Sequence, residues 1–281
     1  MPADFPGPVK AEVFLLRKRT STSTILSIWL VVTTVFAYAF PYTSYRTGSN
    51  EFAQSFDSML PASLVQVMFE GIPFYGGSLV LSLGVLSIGG DFGWGTWKTL
   101  LTQRPGRSAV FGAKMAALGI VLIPFVVLAF VVGAVASTTI AIIENAAITW
   151  PSLASQEEAI LAGWLILAVW TAAGVLLAMA TRGTALAIGV GIVWGLAFEV
   201  LLSAFASSVS WLAWIVDFLL RANGYSLARA LMGASGELST DGPGTFSGPY
   251  VSGGQAAITL GLYLAVFLGV SLWLLRRRDV V

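Results

Sequence analysis

The chain has no cysteine and no histidine, and only 10% of its 281 residues are charged, against about 25% in an average soluble domain. Without cysteine there is no disulfide and no thiolate catalysis. Without histidine there is no Ser-His or His-Asp couple, and the usual zinc ligands are gone with both residue types. No G-x-x-x-x-G-K-[ST] run occurs; Gly106 to Lys114 has the wrong spacing and lacks the final hydroxyl. The chain is therefore not expected to be an ATPase, or any other enzyme, by itself. A net charge of +1 argues against nucleic acid as a partner. What the chain does have is apolar surface: 57% of its residues are hydrophobic. That composition belongs to an integral membrane protein, and 281 residues allow about six spans of ~20 residues with loops but no large soluble domain.

Taken in order, Val9 to Arg19 alternates Val9, Val13, Phe14 and Leu16 with Lys10, Glu12, Arg17, Lys18 and Arg19, the pattern of an amphipathic helix on a membrane surface. The Thr20 to Thr24 run is expected to cap a first span, 25–40. Basic Arg17 to Arg19, an apolar run and Ala37-Tyr38-Ala39 together imitate a secretory signal, but the stretch before the run is long for one, and we read a retained span. Tyr42 to Ser63, with Pro61, reads as an external loop. A second span, 64–90, is interrupted near Glu70, Gly71 and Pro73, which suggests a broken or re-entrant start. A third, 113–140, carries Pro124 as an expected kink. Acidic Glu144 to Glu158 reads as an external loop, 159–180 as the fourth span, Thr181-Arg182-Gly183 as a tight turn, and 184–206 as the fifth span. Trp211, Trp214, Ile215, Phe218 and Leu219 then recur at helical spacing, with Asp217 and Arg221 placed for an i,i+4 pair. That helix is expected to end near Asn223-Gly224, before a second apolar piece, Tyr225 to Met232. A Gly- and Ser-rich loop, 233–254, precedes the sixth span, 255–275.

Twelve basic residues fall on one side of this topology: Lys10, Arg17, Lys18, Arg19, Lys98, Arg104, Arg107, Lys114, Arg182, Arg276, Arg277 and Arg278. Three, Arg46, Arg221 and Arg229, fall on the other. The asymmetry predicts six spans with both termini cytoplasmic in a bacterial-type plasma membrane.

The polar segment Asp91 to Lys114 lies between two apolar runs and reads as cytoplasmic. Trp94 to Gln103 contains no proline and reads as a short helix, with Asp91 before its first turn as a candidate cap and Pro105-Gly106 ending it. Its Gly95-Thr96, Thr99-Leu100-Leu101, the Arg104 to Arg107 turn and Gly112-Ala-Lys114 resemble the first cytoplasmic loop of type-2 ABC exporter permeases. Trp94 stands where that pattern usually has an acid, with Asp91 further upstream. The resemblance implies a coupling helix, carried by Asp91, Gly93, Trp94, Gly95, Thr96, Trp97, Lys98 and Arg104, that docks on a separate ATPase subunit. It further implies two ATPase copies holding ATP and Mg, with no cofactor on this chain. A second permease chain, identical or related, would complete the transport path. The N-terminal helix would flank the ATPase contact, and the two pieces after the fifth span would form an external re-entrant pair. An interfacial belt with Trp at the headgroups is the other reading of those pieces.

Two acids near the hydrocarbon remain. Glu199 lies about 22 Å into the fifth span at ~1.5 Å per residue, where charge is costly and should face protein or water. Gly191, Gly195 and Glu199 share one helical face, which points Glu199 at a neighbouring helix. It either lines a translocation path or makes a structural hydrogen bond. Glu70, nearer the outer surface, is either a path residue or simply solvated. The expected fold is thus an all-α membrane protein: one permease domain of six transmembrane helices, with an N-terminal interfacial helix, a coupling helix between spans 2 and 3, and an external helical piece between spans 5 and 6. The alternatives to an exporter subunit are a proton-coupled secondary transporter using Glu70 and Glu199, which more usually has about twelve spans or clear inverted halves, and a non-transporting scaffold.

Overall fold

The computed structural model describes residues 6–49, 54–93, 106–206, 210–232 and 250–277, and among them only helices and turns occur. Six helices are long and apolar enough to cross a membrane, and the chain is a multi-pass membrane protein. In order, α1 (Pro6–Lys18) is the N-terminal helix and α2 (Thr20–Thr47) is the first span. Then come α3 (Pro61–Gly93), α4 (Arg107–Ile143), α5 (Leu153–Thr181) and α6 (Ala185–Ala206). Two shorter helices, α7 (Ser210–Val216) and α8 (Leu220–Met232), precede the last span, α9 (Gly253–Arg277).

All the spans but the fifth overrun the expected limits, because hydropathy marks where the hydrocarbon core is, whereas a helix continues until its backbone finds another partner. α2 begins at Thr20, so the Ser/Thr run lies inside the helix and does not cap it; Arg19, extended at φ −68° and ψ 124°, holds the cap position. Its far end passes Pro41 and stops at Gly48, whose left-handed φ of 65° ends the helix. The first part of the expected 42–63 loop is therefore helical. α4 continues through Pro124 for 37 residues, about 55 Å at ~1.5 Å per residue, well beyond a ~30 Å hydrocarbon core. α5 starts at Leu153, with the Ser152 hydroxyl accepting from the Ser155 N–H at 3.1 Å. It ends at Arg182 in the left-handed region at φ 54°, which makes the tight turn expected between the fourth and fifth spans.

α3 and α5 form the core, being the most buried of the six spans. They cross backbone to backbone: a Cβ on Gly84 would strike the carbonyl of Thr171, and one on Gly174 would strike the carbonyl of Leu81. Small residues permit this approach, which supplies the packing that holds helices together where no hydrophobic drive separates protein from lipid. α2 and α4 pack against this pair, with α1 laid on α4; α6, α8 and α9 also pack against it, and α9 meets α4. α9 presents Ile258, Leu262, Val266, Val270 and Trp273 outward, an i, i+4 stripe suited to lipid.

Three short π-helical stretches interrupt the spans, at Val35–Ala39, Ile72–Gly76 and Val193–Phe198. The second contains Pro73, which has no N–H to give to the preceding turn. The suspected break near Glu70 is thus a register change inside a continuous helix and not a re-entrant start. The second and third stretches pack on each other, and π-bulges recur at functional sites.

Candidate functional sites

Of the expected coupling-loop residues, Trp94, Gly95, Thr96, Trp97, Lys98 and Arg104 lie outside the described residues, whereas Asp91 and Gly93 lie in the last turn of α3. Asp91 is buried, and the helix it was expected to cap lies outside the described residues. Its Oδ2 meets Lys114 Nζ at 2.9 Å and its Oδ1 meets Arg19 Nη2 at 3.1 Å. Lys114 in turn contacts the Glu12 carboxylate at 3.0 Å. Arg19 also reaches the carbonyls of Leu86 and Ser87 near the end of α3, at 3.4 and 3.5 Å, where a cation suits the helix dipole. Four charges from α1, the α1–α2 junction, α3 and α4 thus form one network around the buried Asp91–Lys114 pair, with Glu12 and Arg19 half-buried at its edge. α9 joins the same end of α4, with Arg276 donating to the Ser108 hydroxyl at 2.8 Å and Arg107 to the Leu275 carbonyl at 3.4 Å. Both chain ends leading into and out of 94–105 are cross-braced, and α1 is pinned to them.

The second site surrounds α8. Glu199 follows directly on the Val193–Phe198 π stretch and is completely buried. Its carboxylate accepts from Trp194 Nε1 at 2.8 Å and from the Arg221 backbone N–H at 2.8 Å. Arg221 is the second residue of α8, and the position before that helix is Leu219, whose side chain cannot cap it. Glu199 supplies the missing acceptor from another helix, placing negative charge at the positive end of α8. The small-residue face holds as expected: Cβ atoms on Gly191 and Gly195 would press on Leu81 of α3 and Trp170 of α5, so Glu199 turns inward with them.

Asp217 and Arg221 do not share a helix. The chain breaks at 217–219, several residues before the expected end at Asn223-Gly224. Asn223 closes that break, its Nδ2 donating to the carbonyls of Asp217 and Leu219 at 2.9 and 2.8 Å. Arg221 is buried, its guanidinium 4.8 Å from the Phe74 ring centre and 5.5 Å from that of Tyr225, within cation–π range. Tyr225 donates to the Glu70 carbonyl at 3.1 Å. Glu70 is half-buried. The two expected acids therefore grip one element from opposite sides, Glu199 from α6 and Glu70, through its backbone, from α3.

A family model described as a protein of unknown function (DUF2705) matches residues 23–281. The chain belongs to that family. No curated protein matches the chain. The matched range contains the first span from its fourth residue onward, the other five spans, Glu199, Arg221 and the Asp91–Lys114 pair, while Glu12 and Arg19 precede it.

Sequence reasoning missed Arg221, Trp194 and Tyr225 as partners of the two acids. Arg221 carried a legible signal, a cation in an apolar setting, but helical spacing assigned it to Asp217. It also missed Glu12 and Arg19 as partners at the other site, because an amphipathic helix at a membrane surface gives every polar residue a solvated alternative.

Proposed function

We propose that this chain is the membrane-spanning subunit of an ATP-driven type-2 exporter, with hydrolysis of ATP on a separate subunit. The observation that carries the reading is the buried Asp91–Lys114 pair, extended by half-buried Glu12 and Arg19 into a four-charge network. A connector that merely crosses a membrane surface gains nothing from burying charge at its base. A segment that must receive a push from a partner and pass it to two spans needs both of its ends fixed to the same rigid body. Six spans, the basic 94–107 segment and a helical pair between the last two spans also suit that role. The working form is two such chains, or this chain with a related one, each gripped at 94–105 by one of two ATPase subunits that hold ATP and Mg. Both termini then face the cytoplasm of a bacterial-type cell, on the side where twelve of the fifteen basic residues fall. Glu199 and Glu70 serve by holding α8 beside the path.

The proton-coupled alternative requires an acid that exchanges protons with water. Glu199 is completely buried and both of its oxygens accept hydrogen bonds, which favours an anchoring role. A non-transporting scaffold has no use for a braced loop.

The test is co-purification. The tagged chain is extracted gently from its native membranes and probed for a P-loop ATPase, then the extraction is repeated with Gly95→Asp, Thr96→Asp and Trp97→Asp. The expected result is an ATPase that accompanies the unaltered chain and is lost from the variants while the chain still inserts. If no ATPase accompanies the unaltered chain, the proposal fails, and proton-dependent transport with Glu199→Gln becomes the measurement to make.

A further inference from the structure

A cleft of about 280 Å³ lies in the gap between α6 and α9. Ala173 and Leu177 of α5 form its floor, Val190 and Trp194 of α6 one side, and Tyr263 and Phe267 of α9 the other. Its polar side-chain groups are engaged by other residues, apart from the Trp170 Nε1, which is buried without a hydrogen-bond partner among the described residues. Glu199, at one end, accepts from Trp194 and Arg221, which also uses the Trp194 indole N–H. The Tyr263 hydroxyl donates to the Phe218 carbonyl at 2.9 Å. Trp170 beneath turns its Nε1 edge to Gly77 of α3. A sugar, nucleotide or peptide guest would lose its hydration and find no replacement hydrogen bond, so the chemistry of the walls selects hydrocarbon.

The position of the cleft supplies the source. Val190 and Trp194, which line it, are exposed, as are Leu186 and Val193 of α6 and Ile258 and Leu262 of α9, apolar surface suited to lipid. An apolar cavity of ~150 Å³ accommodates the six carbons of benzene, and by that scale the cleft takes about ten carbons of a chain. We infer that the cleft holds one acyl chain of a bilayer lipid, inserted sideways between α6 and α9. This site stands whether or not the chain couples to an ATPase.

The experiment uses the full chain in phosphatidylcholine vesicles containing a small fraction of phosphatidylcholine with a diazirine on one acyl chain. After irradiation, adducts are mapped by mass spectrometry. The expected result is labelling of Ala173 and Leu177, on the floor, in addition to Ile258 and Leu262 on the outer stripe. Ala173→Phe fills the floor and is expected to abolish most labelling of Leu177 while the outer stripe labels as before, which also reports correct insertion. If Ala173→Phe fails to insert, Leu177→Trp provides the same block, read at Ala173. Labelling confined to the outer stripe in the unaltered chain, or floor labelling that survives in an inserted blocked variant, overturns the inference.

Discussion

Replacing Lys114 with Met removes the cation shared by two acids, Asp91 at 2.9 Å and Glu12 at 3.0 Å. The Asp91 side chain is only 3% exposed, so the anion left behind, held by Arg19 alone at 3.1 Å, recovers little hydration. Breaking a buried pair from one side costs about 3–5 kcal/mol, whereas removing both charges together is often close to neutral. Lys114→Met is therefore expected to lower stability by about that amount, and Asp91→Asn combined with Lys114→Met to recover at least half of it, a coupling of roughly 2 kcal/mol between the two positions. The internal reference is Arg46, which pairs with Glu144 at 3.0 Å but is 59% exposed; losing an exposed pair of this kind costs about 0–1 kcal/mol. The assay is equilibrium unfolding in mild detergent for the four members of the cycle and for Arg46→Met. A Lys114→Met cost no greater than that of Arg46→Met, or a double variant as unstable as the sum of its parts, would refute the claim that these charges brace one another.

Glu199→Ala is expected to free the start of α8, raising amide exchange across 220–228 and costing about 1–3 kcal/mol for the donors left behind; unchanged exchange there would contradict the anchoring role. Gly84→Ala and Gly174→Ala are each expected to prevent accumulation of folded chain, because the added methyl meets backbone in both cases. Gly189→Ala and Gly261→Ala, where nothing lies within 4 Å, are expected to be neutral or to stabilise by up to about 1 kcal/mol; a melting series compares the four. Trp29→Phe is expected to cost about 0.5–1.5 kcal/mol through loss of the 2.9 Å bond from its indole to the Phe125 carbonyl, while Trp214→Phe, at an exposed position, leaves the melting midpoint unchanged.

The number and order of spans were legible because each must satisfy the same demand, about twenty apolar residues in one helix. The inward face of Glu199 was legible for a related reason, since Gly191 and Gly195 mark where another backbone or ring comes close. The π stretches were not, because a hydropathy pattern reports which residues are apolar and is blind to which carbonyl each N–H selects. The burial of α8 was hidden by its own composition. Arg221 and Asn223 read as an exposed ion-pair partner and a helix end, and they are buried here because Glu199, Phe74 and the 217–219 turn receive them. Asn223-Gly224 illustrates the limit of a local rule: the pair usually ends a helix, but the Asn223 side chain bonds backward and closes the preceding turn.

The glycine crossing of α3 and α5 also sets a mechanical ratio. Gly84 is seven residues from Asp91 and twenty-three from Pro61, or about 10 Å and 35 Å along the axis at ~1.5 Å per residue. Asp91 is tied to α1 and α4 while Gly84 sits hard against Thr171, so any rigid tilt of α3 about this crossing would have its fulcrum close to the braced end. A displacement of the short arm is magnified roughly threefold at the far tip, and the π stretch at Ile72–Gly76 lies part-way along the long arm, where α3 meets the start of α8.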